Sequence, residues 1–203
     1  MNIGEENMIG SDEKIERIKN VAFKFFLEIG YEATTIRMIC KEAGIESPTL
    51  YYFFKSKKGL FLEIRNSLEE EYRKLVADLS LVCEKNPEIA LKKNFKFCID
   101  YALKYPDNTR FYIRYQLFKP TELKEEIENH IIASLKEKRM FYGELLQACI
   151  DLNLIDYPIE EAFRRYSIFI DNSAYNIIFS HWAPNEEEIN ATWDLFFRTN
   201  LKK

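Results

Sequence analysis

Glycine and proline, six of each in 203 residues, give this chain few means of turning back on itself. Sheet architectures place a turn residue every ten positions or so, whereas here stretches of roughly 20 to 30 residues pass without one; the pattern predicts long helices. The chain is also rich in what helices bury. With 47% hydrophobic and 15% aromatic residues and a net charge of only −4, it is the opposite of a disordered chain. Its length suits one large domain, or a small domain fused to a larger one.

Several function classes drop out early. No window of about 18 apolar residues exists, and Met1 to Asp12 is polar and mildly acidic, so neither a membrane span nor a signal peptide is expected and the cytoplasm is the expected compartment. Cys40, Cys83, Cys98 and Cys149 stand far apart, each among apolar residues, without a Cys-x-x-Cys pair and with only His130 and His181 to join them. That argues against a zinc site or a disulfide framework, and each thiol reads as a small buried hydrophobe. No metal or cofactor is expected. Carboxylate runs such as Glu69 to Glu71 and Glu186 to Glu188 read as solvated helix faces and ends, and no local nucleophile motif is present, so an enzyme is not expected.

The apolar period of 3.6 lays out nine helices. The first is predicted from Asp12, capped by Ser11 or Asp12, with Ile15, Ile18, Ala22, Phe25, Phe26 and Ile29 on one face and Gly30 ending it. Two short helices follow, Thr35 to Ala43 before Gly44, and one opening at Ser47 with Pro48 in its first turn. The fourth runs from Lys58 to Cys83, the fifth from the Asn86 cap and Pro87 to Tyr105, and the sixth from Asn108 to Phe118. Thr121 to Leu152 reads as one long helix with Gly143 as a weak point, Pro158 opens the eighth to Trp182, and Asn185 with Glu188 resembles a capping box for the last, to Asn200. The expected fold is all-α, divided into residues 11–57 and residues 58–203.

Residues 35 to 54 have the internal logic of a helix-turn-helix. Cys40 offers a small side chain where two helices cross, Gly44 supplies the tight turn, and Ile39, Ile45 and Leu50 fill the space between. Ser47, Thr49, Tyr52 and Phe53 are left facing outward, flanked by Tyr51 and Lys57. Short hydroxyls and rings on an exposed helix suit the major groove, where a threonine reads base edges by its hydroxyl and thymine by its methyl. Thr35, at a helix N-terminus, favours a phosphate. Thr35, Tyr51 and Lys57 would then clamp the DNA backbone, while Arg37, Ser47, Pro48, Thr49 and Tyr52 would touch bases. The plainer alternative, a small three-helix core, is preferred for Phe53 and Phe54. Residues 11–65 carry ten Lys and Arg against eight Asp and Glu, a slightly basic front on an acidic chain.

The run Gly30-Tyr31, Thr34-Thr35, Ile39-Cys40, Ala43-Gly44-Ile45, Leu50-Tyr51, Phe54, Lys57 and Leu60 resembles the N-terminal signature of the TetR family of transcriptional regulators. The resemblance implies a homodimer that binds a palindromic operator through helices one to three, with helices four to nine forming a ligand-binding and dimerisation domain. It places Thr35, Tyr51 and Lys57 on phosphates and Arg37, Ser47, Pro48, Thr49 and Tyr52 near bases. Phe53 stands where many members carry His or Tyr, which removes one phosphate hydrogen bond.

Aromatic residues are concentrated beyond residue 65. Most serve an ordinary helical core, but pockets between helices are lined by rings with a few polar anchors. The candidates for a small flat or amphipathic effector are Tyr101, Phe111, Arg114, Tyr115 and Phe118, with Tyr142, Tyr166, Phe169, Asn172 and Asn176. Apolar excess on the last two helices points to a partner, and the resemblance implies that Tyr175, Phe179, Trp182, Trp193 and Phe196 form the dimer seam. The expected function is a ligand-released repressor. The alternatives are a protein-binding helical module, or an activator of the same fold without an inducer.

Overall fold

The computed structural model describes residues 3–79 and 85–200, with side chains for 10–79 and 85–197. Both the Cys83 thiol and the expected end of the fourth helix lie outside the described residues. Nine α-helices are described: α1 (Ile3–Glu28), α2 (Ile36–Ala43), α3 (Ser47–Phe54), α4 (Lys57–Ala77), α5 (Pro87–Lys104), α6 (Pro106–Leu117), α7 (Lys124–Asp151), α8 (Ile159–Phe179) and α9 (Glu186–Asn200). Strands are absent among the described residues.

Local signals placed most boundaries. Thr35 caps α2, its Oγ1 accepting from the Met38 N–H at 3.2 Å, and Gly44 closes it in the left-handed conformation at φ +63°. Asn86 Oδ1 accepts from the N–H groups of Glu88 and Ile89 at the start of α5. At α9 the capping box is reciprocal: Asn185 Oδ1 accepts from Glu188 N–H at 3.0 Å, and Glu188 Oε2 accepts from Asn185 N–H at 2.9 Å. Other boundaries differ from expectation. Helix α1 starts at Ile3, so Ser11 and Asp12 lie within it rather than capping it. A 3₁₀ turn, Thr121–Leu123, precedes α7, which then runs unbroken through Gly143. Pro106 opens α6 as a first-turn proline, and α8 stops at Phe179, short of Trp182.

The chain forms two compact units, and they do not divide at residue 57. The first takes the chain to Tyr72 together with Ile113–Glu125; the second takes Arg73–Tyr112 and the chain from Glu126 onward. The physical reason is visible in the first unit's core. Leu60, Phe61 and Ile64 of α4 are buried with Ile18, Ala22 and Phe26 of α1, and Tyr115 of α6 joins them. The Phe61 ring packs edge-on against Phe26 and Tyr31, both at 5.5 Å, and against Tyr115 at 4.7 Å. Without these rings the short α2 and α3 would have little to pack on.

In the second unit α5 packs on α8 and α9. Phe95 stacks on Phe169 at 4.5 Å and Phe169 on Phe196 at 4.1 Å, with Trp193 and Phe197 closing the cluster. A polar chain crosses this core: Tyr142 OH donates to Asn94 Oδ1 (3.0 Å), Asn94 Nδ2 donates to Tyr166 OH (2.9 Å), and Tyr166 OH donates to the Leu91 carbonyl (2.9 Å). Each buried polar atom named there has a partner, which such a network requires to be stable.

Candidate nucleic-acid interface

Helices α2 and α3 build this surface. Ile39, Cys40 and Ala43 on α2 and Leu50 and Phe54 on α3 point inward, and Ile45 in the turn between the helices is half-buried. The inward set is what a helix-turn-helix needs to hold its two short helices. On the other side stand Arg37 and Pro48, exposed, and Ser47 and Thr49, half-buried. Tyr52 is 75% exposed and Tyr51 48% exposed, so both phenol rings are available to a partner. Phe53 braces Tyr52 edge-on at 5.1 Å and is half-buried, whereas Phe54 is buried as expected.

Two glycines set the corners. A Cβ on Gly59 would meet the Phe54 carbonyl oxygen at 2.1 Å, so α3 and α4 meet at a distance only glycine allows. Gly30, at φ +90°, packs against the Arg114 guanidinium.

Thr35 is exposed at the α2 N-terminus, where backbone N–H groups and the helix dipole favour an anion. Lys57 has a different surrounding: half-buried, its Nζ donates to the carbonyls of Tyr31 (2.9 Å) and Thr34 (3.0 Å). Tyr31 was missed by sequence reasoning. Its hydroxyl donates to Glu122 at 2.7 Å, and burial, then that carboxylate, drive its phenol far above the ordinary value. No local pattern could have paired residues 91 positions apart.

A family model, bacterial regulatory proteins of the tetR family, matches residues 18–64, the span that builds this surface and its support. The chain belongs to the TetR family. Relatives of this TetR-family regulator include the HTH-type transcriptional regulator QacR of Staphylococcus aureus, 28% identical over 88% of this chain and 72% of that protein. The HTH-type transcriptional regulator RutR of Escherichia coli is 24% identical over 62% of this chain and 58% of its own. Among solved structures, a TetR transcription regulator from Haloarcula marismortui covers 94% of this chain and all of its own at TM-score 0.71 and 17% identity. The ketosteroid transcriptional regulator KstR2 of Mycobacterium tuberculosis covers 93% of this chain and 95% of its own at TM-score 0.71 and 18% identity. These two share the fold. The relatives named are regulators, and the protein is a DNA-binding transcriptional regulator. Among the described residues no helix is long and apolar enough to cross a membrane.

The residues expected to hold an effector fall in both units, and within the second the Tyr142 and Tyr166 rings meet at 5.4 Å. Arg114, Tyr115 and Phe118 belong to the first unit, the other seven to the second. Tyr115 OH donates to the Phe26 carbonyl at 2.7 Å, Arg114 packs on Gly30, and Phe118 is 74% exposed. In the second unit Phe111 and Tyr166 are buried, Phe169 is stacked between rings, Tyr101 and Tyr142 are half-buried, and Asn172 and Asn176 are exposed. Tyr101 OH accepts from Asn108 Nδ2. Two open clefts lie instead along α7 and α8, one lined by Leu135, Arg139, Phe163 and Ile168, the other by Gly143, Gln147 and Ile159.

The expected dimer seam also divides. Trp193 is 1% exposed, so its ring belongs to the protomer's own core, and Phe196 stacks on Phe169. The amphipathic period marked their face correctly but not what that face meets. Phe179, at 64%, is exposed and stacks with Tyr175; Trp182 is half-buried.

Proposed function

We propose that this regulator is a repressor that binds a palindromic operator as a homodimer and leaves it when a small apolar or aromatic effector binds. The observation that carries the operator reading is the outward set of α3, with Ser47, Pro48, Thr49 and Tyr52 presented by a helix whose other side is fully used in packing. Arg37 would join them on bases, with Thr35 and Tyr51 on phosphates. A dimer spaces two such helices by about one turn of DNA, roughly 34 Å. Exposed Ile168, Phe179 and Leu195 on α8 and α9 supply apolar surface for a partner copy.

Release is a population shift: the effector must prefer the conformer whose recognition helices are wrongly spaced. The second unit's aromatic cluster favours such a ligand. Trp193 Nε1–H is buried there without an acceptor, and an effector carrying one would satisfy it. The Asn94, Tyr142 and Tyr166 network offers further polar anchors once the rings part. Selection of duplexes from a random-sequence library by the purified protein tests the operator reading: enrichment of a two-fold symmetric site is expected, and an unenriched library defeats it. Adding a panel of aromatic and amphipathic compounds to that complex tests release, and no displacement across the panel removes the effector from the reading.

A further inference from the structure

A single residue, Lys55, separates the end of α3 from Ser56, whose Oγ accepts from the Gly59 N–H at 2.9 Å in the first turn of α4. The Lys55 backbone takes φ +65° and ψ −40°, and across it the Ser56 N–H donates to the Phe54 carbonyl at 2.7 Å. A hydrogen bond that spans one residue of positive φ makes a γ-turn of the rare, strained kind. Positive φ crowds a Cβ against the backbone, and glycine escapes that crowding. Among the described residues, the other positive-φ corners of the first unit, Gly30 and Gly44, are built with glycine. Here the chain places a lysine instead. Its side chain is exposed, and its ammonium makes no ion pair or hydrogen bond among the described residues. Lys55 also stands one helical turn beyond Tyr51, to whose carbonyl its N–H donates at 3.1 Å, and residues four apart share a helix face.

We propose that Lys55 binds a phosphate of the operator beside Tyr51, and that the strained turn persists because glycine, which would relax it, brings no side chain to the DNA. The inference rests on the operator-binding reading above. Strain of this kind is kept where it serves a function, and the unpartnered ammonium is the one chemical group that the turn presents to solvent. The corner itself leaves little room to relax, since the Phe54 carbonyl that receives Ser56 also faces Gly59. A positive charge suits a helix C-terminus by itself, but a role limited to the helix dipole would show in stability and leave the salt dependence of DNA binding alone.

The test uses the full chain, the duplex that it selects from a random-sequence library and an arbitrary duplex, with affinity measured across a salt series. Removing a cation that pairs with a phosphate lowers the slope of log affinity against log salt by about 0.9 for each protomer bound. Lys55→Ala and Lys55→Gly are each expected to lower the slope by that amount and to weaken both duplexes alike, because a phosphate contact carries no sequence information. Lys55→Arg keeps the slope. Thermal unfolding without DNA separates the first two variants: Lys55→Gly melts a few degrees above the wild type, and Lys55→Ala, as strained as lysine, does not. An unchanged slope in Lys55→Ala, a lowered slope in Lys55→Arg, a loss confined to the selected duplex, or a Lys55→Gly protein that melts no higher than Lys55→Ala each overturns the proposal. If the library yields no enriched site, the operator reading fails by itself, and the slopes on the arbitrary duplex still decide whether Lys55 meets a phosphate. A protein that binds neither duplex overturns both.

Discussion

Gly59 approaches Phe54 so closely that a Cβ on it would lie 2.1 Å from the Phe54 carbonyl oxygen. Backbone, unlike the tip of a side chain, cannot swing aside, so the corner between the recognition helix and α4 depends on this glycine. Gly59→Ala is expected to destabilise the protein by about 3 kcal/mol, the upper part of the range for overpacking. Gly44→Ala, at φ +63° with open space around it, should cost only about 1 kcal/mol. Chemical denaturation of the two variants decides, and equal costs would mean that the corner yields.

Thr49 and Tyr52 face outward and carry none of the first unit's core. Replacing both with alanine should leave the thermal midpoint within a degree or two of wild type and lower affinity for the selected duplex by roughly 1 to 3 kcal/mol for each base that they read. Affinity for an arbitrary duplex, which depends on phosphates, should barely change. A parallel decline on both duplexes would show that these residues do not read sequence.

Phe179 is exposed in the protomer, so Phe179→Glu should fold normally. If α8 forms the dimer seam, the variant sediments as a monomer and its operator affinity collapses, because two half-sites are no longer bound together. Trp193→Ala is the contrast. Its ring is buried, and truncation should cost about 3 to 5 kcal/mol in stability. Dimeric Phe179→Glu protein would move the seam elsewhere.

Alkaline pH should unfold this protein early. Burial pushes the Cys149 thiol up from 9.0 to about 12, and the nearby Glu88 adds to the shift; burial likewise holds the Tyr115 phenol at about 12. Both groups keep their protons longer in the folded state than in the unfolded chain. Their contribution is therefore intact below about pH 9 and is lost as pH rises from there towards 12. Urea midpoints at pH 8, 9, 10 and 11 should fall from pH 9 onward, with Cys149→Ala flattening the first part of that decline. Midpoints that stay level to pH 11 would contradict it.

Much of this regulator could be read without coordinates, and the legible parts share a property. The Thr35 cap, the Gly44 terminator, Pro87 behind Asn86, and the Asn185 and Glu188 box are each decided within four residues of chain, where hydrogen-bond reach is set by local geometry alone. The helix-turn-helix belongs with them, since its inward residues, Ile39, Cys40 and Leu50, are spaced by the helical period itself. Local signals mislead at α1: Ser11 and Asp12 are good caps, but a good cap is tolerated inside a helix that continues past it.

The helical inventory, the turn chemistry and the outward chemistry of α3 are legible in the chain, because each follows from the periodicity of one segment. Where Trp193 points, which unit takes Arg114 and Tyr115, and what Lys57 binds are set by packing between segments distant in the chain. A helical period says that a face is apolar, or that a lysine lies at its edge, and nothing about what will meet it. Tyr31 and Glu122, or Asn94 and Tyr166, become partners because burying rings and satisfying the polar groups among them is settled jointly by elements far apart in the chain.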